Sequence, residues 1–192
     1  MHKRIILPAL IGALTLSACG KKAPEMAPAP QQDDSARLAE EEARRRAEEE
    51  ARRREEEERR REEERRREEA RRAAEIIAQM VHFDYDKYDI RPDAREILVT
   101  KVGVLRANPD VTLRIEGHAD ERGSDEYNLA LGMRRANAVK DFLTGYGLDA
   151  SRFEVRSLGE QRPLDPASNE TAWAKNRRAE FHITGGQATR VQ

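Results

Sequence analysis

The chain has 192 residues and a formal net charge of −1, although 38% of its residues are charged. That length holds one ordinary domain or two small ones. Balanced charge argues against a general nucleic-acid or anionic-membrane binder, which needs a basic excess, and a single cysteine excludes an internal disulfide.

Met1-His2-Lys3-Arg4 is basic, and Ile5 to Leu16 is a short apolar run that meets small residues. This is secretory signal layout, too short for a comfortable membrane span. Leu16-Ser17-Ala18-Cys19 puts the only cysteine where cleavage falls, and resembles the bacterial lipobox. The resemblance implies removal of residues 1–18, diacylglycerol on the Cys19 sulfur and usually a third acyl chain on the new amine. Two or more chains anchor a protein stably. Gly20 stands where an aspartate would favour inner-membrane retention, so the expected destination is the outer membrane, facing the periplasm. Residues 19–34 contain Pro24, Pro28 and Pro30 and no apolar face, and read as a lipidated N-terminus with an extended linker.

Residues 35–79 are almost entirely Glu, Arg and Ala, all strong helix formers, with no Gly or Pro. Glu40, Glu41 and Glu42 precede Arg44, Arg45 and Arg46 by four positions, and Glu48, Glu49 and Glu50 stand likewise before Arg52, Arg53 and Arg54. Glu before Arg at this offset is the favourable orientation, about 0.2–0.5 kcal/mol per pair. A coiled coil needs apolar a and d positions, and none of the residues from Glu55 to Glu69 is apolar. The expectation is a long exposed single α-helix, roughly 65 Å at 1.5 Å per residue, serving as a spacer. The rival is disorder, since a helix polar on every side depends on those pairs.

From Met80 the composition changes, and every Phe, Tyr and Trp lies beyond it. Val81 to Tyr85 alternates like a strand. Pro92 opens a helix carrying Ala94, Ile97, Leu98, Val102 and Leu105, which Asn108-Pro109 ends. Val111, Leu113 and Ile115 mark a second strand. After a sharp turn at Gly123, Ser124 is a suitable N-cap for a helix to about Thr144. Phe153 and Val155 lie in a third strand, Asn169 to Asn176 in a short helix, and Ala179, Phe181 and Ile183 in a last strand. This order predicts an α/β (α+β) sandwich over residues 80–184, a mixed sheet covered by helices on one face. Residues 185–192 are expected to be a flexible tail.

The stretch from Gly117 to Val139, GHADERGSDEYNLALGMRRANAV, resembles the signature of the OmpA C-terminal-like peptidoglycan-binding family. The likeness covers essentially Met80 to Ile183, departing at Leu158, where an aromatic is usual, and in the charged helix, where a short linker is typical. On helical geometry alone, Arg135 shares a face with Leu131, Ala138 and Phe142, whereas Arg134 lies in the more polar row of Tyr127 and Asp141. Such an arginine needs a carboxylate, supplied either by the protein itself as a salt bridge or by a ligand. The resemblance implies the second: Asp120 takes the ammonium of diaminopimelate, Arg135 its carboxylate, and Asp86 is a third contact. Asn128 and the run Asn176-Arg177-Arg178 also match the family pattern, with ligand and structural roles both open. The resemblance further implies non-covalent tethering of the outer membrane to peptidoglycan, TolB and other Tol components as partners, and no cofactor.

Enzymatic chemistry gets little support. Asp84, Asp86 and Asp120 do not establish an acid–nucleophile pair, and His82, His118 and His182 show no recognisable zinc spacing, so neither catalysis nor a metal is expected. The competing reading is a structural or sensory spacer lipoprotein whose domain binds another envelope protein. The anchor is tested first: Cys19→Ser is expected to accumulate as uncleaved precursor without palmitate label. Continued palmitate labelling of that variant would rule the lipobox out.

Overall fold

The computed structural model describes residues 34–191. The signal peptide, Cys19 and the linker before Asp34 lie outside the described residues. Two compact units divide the chain, one ending at Glu49 and the other beginning at Glu50. Helix α1 (Asp34–Ala78) runs through that boundary. In the first unit Glu41 pairs with Arg45 at 3.1 Å and Glu42 with Arg46 at 3.5 Å, while Arg44 turns forward to Glu48 at 3.4 Å. In the second unit the same offset joins Glu57 to Arg61, Glu62 to Arg66 and Glu68 to Arg72, at 2.6–2.7 Å. The last turns differ from the expected spacer. Ala73 and Ile77, in the apolar-rich end of the helix, are buried in the core of the second unit.

That unit continues through β1 (Val81–His82), α2 (Pro92–Ala107), β2 (Thr112–His118), α3 (Asp125–Gly145), β3 (Phe153–Gly159), α4 (Glu170–Asn176) and β4 (Arg178–Gly185). The strands lie in the order β1-β4-β2-β3. β2 and β3 are parallel, joined by α3 as the crossover such a pair requires, and β4 runs antiparallel to both β1 and β2. Strand alternation then divides the sheet into two faces. Leu113, Ile115, Phe153, Ala179 and Phe181 form the core with Leu98 and Val102 of α2 and Val139 and Leu143 of α3. The other face carries Arg114, Glu116 and His118 of β2 beside Arg178, Glu180 and His182 of β4.

Two expectations need correction. β1 is a two-residue pairing and not a strand to Tyr85, because the chain leaves the sheet after Phe83 and turns at Asp86, which has φ 58°. The tail is not frayed along residues 185–191. Asn108 accepts bonds from Thr189 N at 2.8 Å and Arg190 N at 3.2 Å, donates to Arg190 O at 2.8 Å, and Ala188 is buried. An asparagine near the C-terminus of a helix offers both a donor and an acceptor, and here both hold the returning chain.

Lys101 of α2 fastens the end of α1. Its fully buried ammonium donates to Ile76 O at 2.6 Å and Ile77 O at 2.8 Å, with the Phe181 ring 4.2 Å away. A cation here meets the negative end of the α1 dipole. Two carbonyls and a ring face replace water poorly, so burial pushes Lys101 down from 10.5 to about 7. The unfolded chain therefore holds more protons between those values, and stability should rise with pH through that window. We expect unfolding free energy to increase from pH 7 to 9 by up to roughly 1.4 kcal/mol per pH unit, and Lys101→Met to flatten the rise. Equal slopes for both proteins in urea titrations would show that Lys101 stays charged in the fold.

Candidate functional site

The site is built where β2 ends against α3. Gly117 and Gly132 bring strand and helix backbones together: a Cβ on Gly132 would lie 2.6 Å from the Gly117 carbonyl oxygen. Only glycine permits that approach. One turn further along α3, Arg135 is consequently carried over the strand end and is fully buried. Its Nη1 donates to His118 O at 2.7 Å, its Nη2 to Asp84 O at 3.0 Å and its Nε to Lys87 O at 2.9 Å.

Of the two expected sources of a carboxylate, the protein's own is absent among the described residues. No ion pair of Arg135 occurs among the described residues; the guanidinium is satisfied by backbone carbonyls from two segments and lies 5.2 Å from the Phe83 ring centre. Three of five N–H groups are thereby used, leaving one on each terminal nitrogen. Burial pushes this arginine down to about 10, partly offset by Asp120, so it remains charged at neutral pH.

Asp120 follows β2 and is 4% exposed. Burial by itself would raise its carboxyl. Hydrogen bonds from Arg122, through side chain and backbone, and from Arg177 outweigh that and hold it below the usual carboxylate range. Arg122 Nη2 lies 2.6 Å from Asp120 Oδ2, and its guanidinium is sandwiched between the rings of Tyr85, at 3.9 Å, and Trp173, at 4.1 Å. Arg177 reaches Asp120 at 3.3 Å, Glu170 at 2.8 Å and Phe83 O at 3.1 Å.

Asp86 completes the rim. Its left-handed backbone, tolerated by aspartate better than by most side chains, turns the carboxylate toward the Tyr127 hydroxyl, which donates to it. Asp86, Asp120, Asn128 and Arg135 thus line one cleft with Tyr85 and Arg122. The cleft encloses only about 20 Å³, the room of a single water. Asn128 is buried and donates to Arg122 O and Glu160. The structure does not bring Asn176 and Arg178 to this cleft: Asn176 caps the loop at Leu164 and Asp165, and Arg178 pairs with Glu180 on the second sheet face. Sequence reasoning missed Arg122, Tyr85, Tyr127 and Trp173. Arg122, two positions after Asp120, was the readable signal; the aromatic rings converge only through tertiary packing.

Residues 82–177 match the model of the OmpA family. Peptidoglycan-associated lipoproteins from Haemophilus influenzae and Brucella melitensis are 46% identical over 99 residues and 42% identical over 109. These matches span 52% and 57% of this chain and 65% of each relative, so more than a third of each relative's length lies outside them. The crystal structure of the peptidoglycan-associated lipoprotein from Burkholderia pseudomallei aligns with a TM-score of 0.54 at 37% identity, over 55% of this chain and 90% of that one.

Because Arg135 satisfies three carbonyls, its loss should destabilise the domain as well as the cleft. We expect Arg135→Ala to cost at least about 3 kcal/mol in urea unfolding, since buried acceptors lose charged donors. A change below about 1 kcal/mol would show that water readily replaces the guanidinium.

Proposed function

Because the chain belongs to the OmpA family, we propose that it is an outer-membrane lipoprotein that holds peptidoglycan non-covalently through the diaminopimelate of its stem peptides. The observation that carries this reading is that two buried, opposite charges, Asp120 and Arg135, line one cleft without pairing with each other. A free amine beside a free carboxylate is the ligand chemistry that answers them. The ammonium bonds to Asp120. The carboxylate takes the two remaining N–H groups of Arg135, a planar fork that suits it. Asp86 adds a second acceptor on the amine side.

The 2.6 Å bond from Arg122 to Asp120 means that this ammonium replaces a cation the protein already supplies. Binding therefore proceeds by exchange: the Arg122 guanidinium leaves Asp120, while Arg177 stays. Exchange keeps Asp120 paired in both states and avoids a buried unpaired carboxylate. With a lipid on Cys19 and α1 as spacer, such a domain tethers the outer membrane to the wall. By similarity to peptidoglycan-associated lipoproteins, TolB and the other Tol components are its proposed partners, within a Tol-Pal system acting in envelope integrity and cell division.

Sedimentation with purified sacculi tests the exchange. Asp120→Asn, checked for an intact melting transition, should weaken binding by roughly 2–5 kcal/mol, the cost of stripping one partner from a desolvated charge pair. Arg122→Ala removes the competitor and should bind as well as the parent chain or better. Loss of binding in Arg122→Ala alone would assign Arg122, and not Asp120, to the ligand.

A further inference from the structure

The face of the sheet turned away from α2 and α3 holds a second cluster, independent of the wall-binding reading. Glu116 of β2 and Glu180 of β4 are direct partners across the two strands. Like charges directly opposite destabilise a sheet, so this pair needs cations. Two arginines supply that charge, each bonding only one oxygen of its carboxylate. Arg178 Nε donates to Glu180 Oε1 at 2.6 Å, and Arg114 Nη1 to Glu116 Oε1 at 3.4 Å. The other oxygen of each carboxylate is turned the opposite way, toward one imidazole: His182 Nε2 lies 3.4 Å from Glu116 Oε2 and 3.4 Å from Glu180 Oε2.

We propose that Glu116, Glu180 and His182 bind one zinc ion. All three ligand atoms lie within 4.8 Å of one another. Tetrahedral zinc, with bonds of about 2.1 Å to nitrogen and oxygen, holds its ligand atoms about 3.4 Å apart. Both imidazole-to-carboxylate separations already have that value. The arginines on the Oε1 atoms act as outer partners that fix each carboxylate's orientation. His182 is 45% exposed, so an ion can reach the cluster from solvent, whereas Glu116 is 7% exposed and anchors it from within. The imidazole selects zinc over magnesium or calcium, which take oxygen ligands.

The arginine side of the same cluster is also incompletely bonded. His118 flanks the glutamate pair, is 1% exposed, and has no hydrogen-bond partner for either ring nitrogen among the described residues. Its Nε2 faces Glu180 Oε1 at 3.7 Å. Buried imidazole nitrogens almost always have partners, so His118 leaves the polar network of this face incomplete, although it lies on the Oε1 side and is not one of the three ligands. The histidine spacing could not reveal this site, because its ligands come from two strands that are far apart in sequence and paired only in the sheet.

The test uses the untagged full chain, stripped with a chelator and titrated with zinc chloride. We expect one zinc per chain by calorimetry and by elemental analysis after gel filtration, a higher melting midpoint with zinc, and no displacement by excess magnesium. His182→Ala should fold as the stripped parent does and lose the stoichiometric zinc. Glu116→Gln should also lose it, and His82→Ala should keep it. Failure of the parent to retain zinc, or equal retention by His182→Ala, would overturn the proposal. Displacement by magnesium would overturn it as well, since it would mean the glutamates hold the ion without the imidazole.

Discussion

One buried cation organises the functional end of this domain. Arg135 is fixed on α3 but spends its hydrogen bonds on carbonyls of other segments, at Asp84, Lys87 and His118. The loop after β1 and the end of β2 are distant in sequence and have no ladder between them at this point. The guanidinium supplies the cross-link that a ladder would have given. Its position follows in turn from the contact of Gly117 with Gly132, which sets the separation of strand and helix. Asp86 and Asp120, within two residues of the tied carbonyls, take their places in the cleft as a consequence.

Burying charge is costly unless it is paired, and this domain pairs it by sharing. Asp120 serves Arg122 and Arg177 together, and Arg177 in turn serves Glu170 and the Phe83 carbonyl. Asp120, Asn128 and Arg135 are each positioned by partners outside the cleft, Arg177, Glu160 and three backbone carbonyls, before any ligand arrives. Only Arg122 has a place to go. Apart from Asp120 it is held by the faces of Tyr85 and Trp173 and by a longer ion pair to Glu170 at 3.6 Å, and ring faces tolerate sliding better than short hydrogen bonds do.

Much of the fold was legible because periodicity reports which face is buried. Pro92 at the start of α2, Ser124 capping α3 and Asn169 capping α4 stand where local chemistry predicts them. The gathering of Asp86, Asp120, Asn128 and Arg135 was expected from the family likeness, and spacing by itself could not have shown it. What sequence could not show was long-range. No internal salt bridge holds Arg135 among the described residues; main-chain carbonyls take three of its N–H groups, and these carry no residue-type signature. Asn108 holding the chain end, Lys101 capping α1 and the convergence of Glu116, Glu180 and His182 likewise depend on pairings formed in the folded chain.

The central claim is that the cleft reads a zwitterion, with Asp120 and Arg135 each answering one charge. The most direct measurement is calorimetric titration of the chain with two soluble stem peptides that differ only at the third residue, diaminopimelate in one and lysine in the other. Lysine keeps the side-chain amine and lacks the carboxylate beside it. The account predicts binding of the diaminopimelate peptide and at least about tenfold weaker binding of the lysine peptide, the equivalent of one lost charged hydrogen bond. Equal affinity for the two peptides would contradict it, because the carboxylate would then find no partner in Arg135.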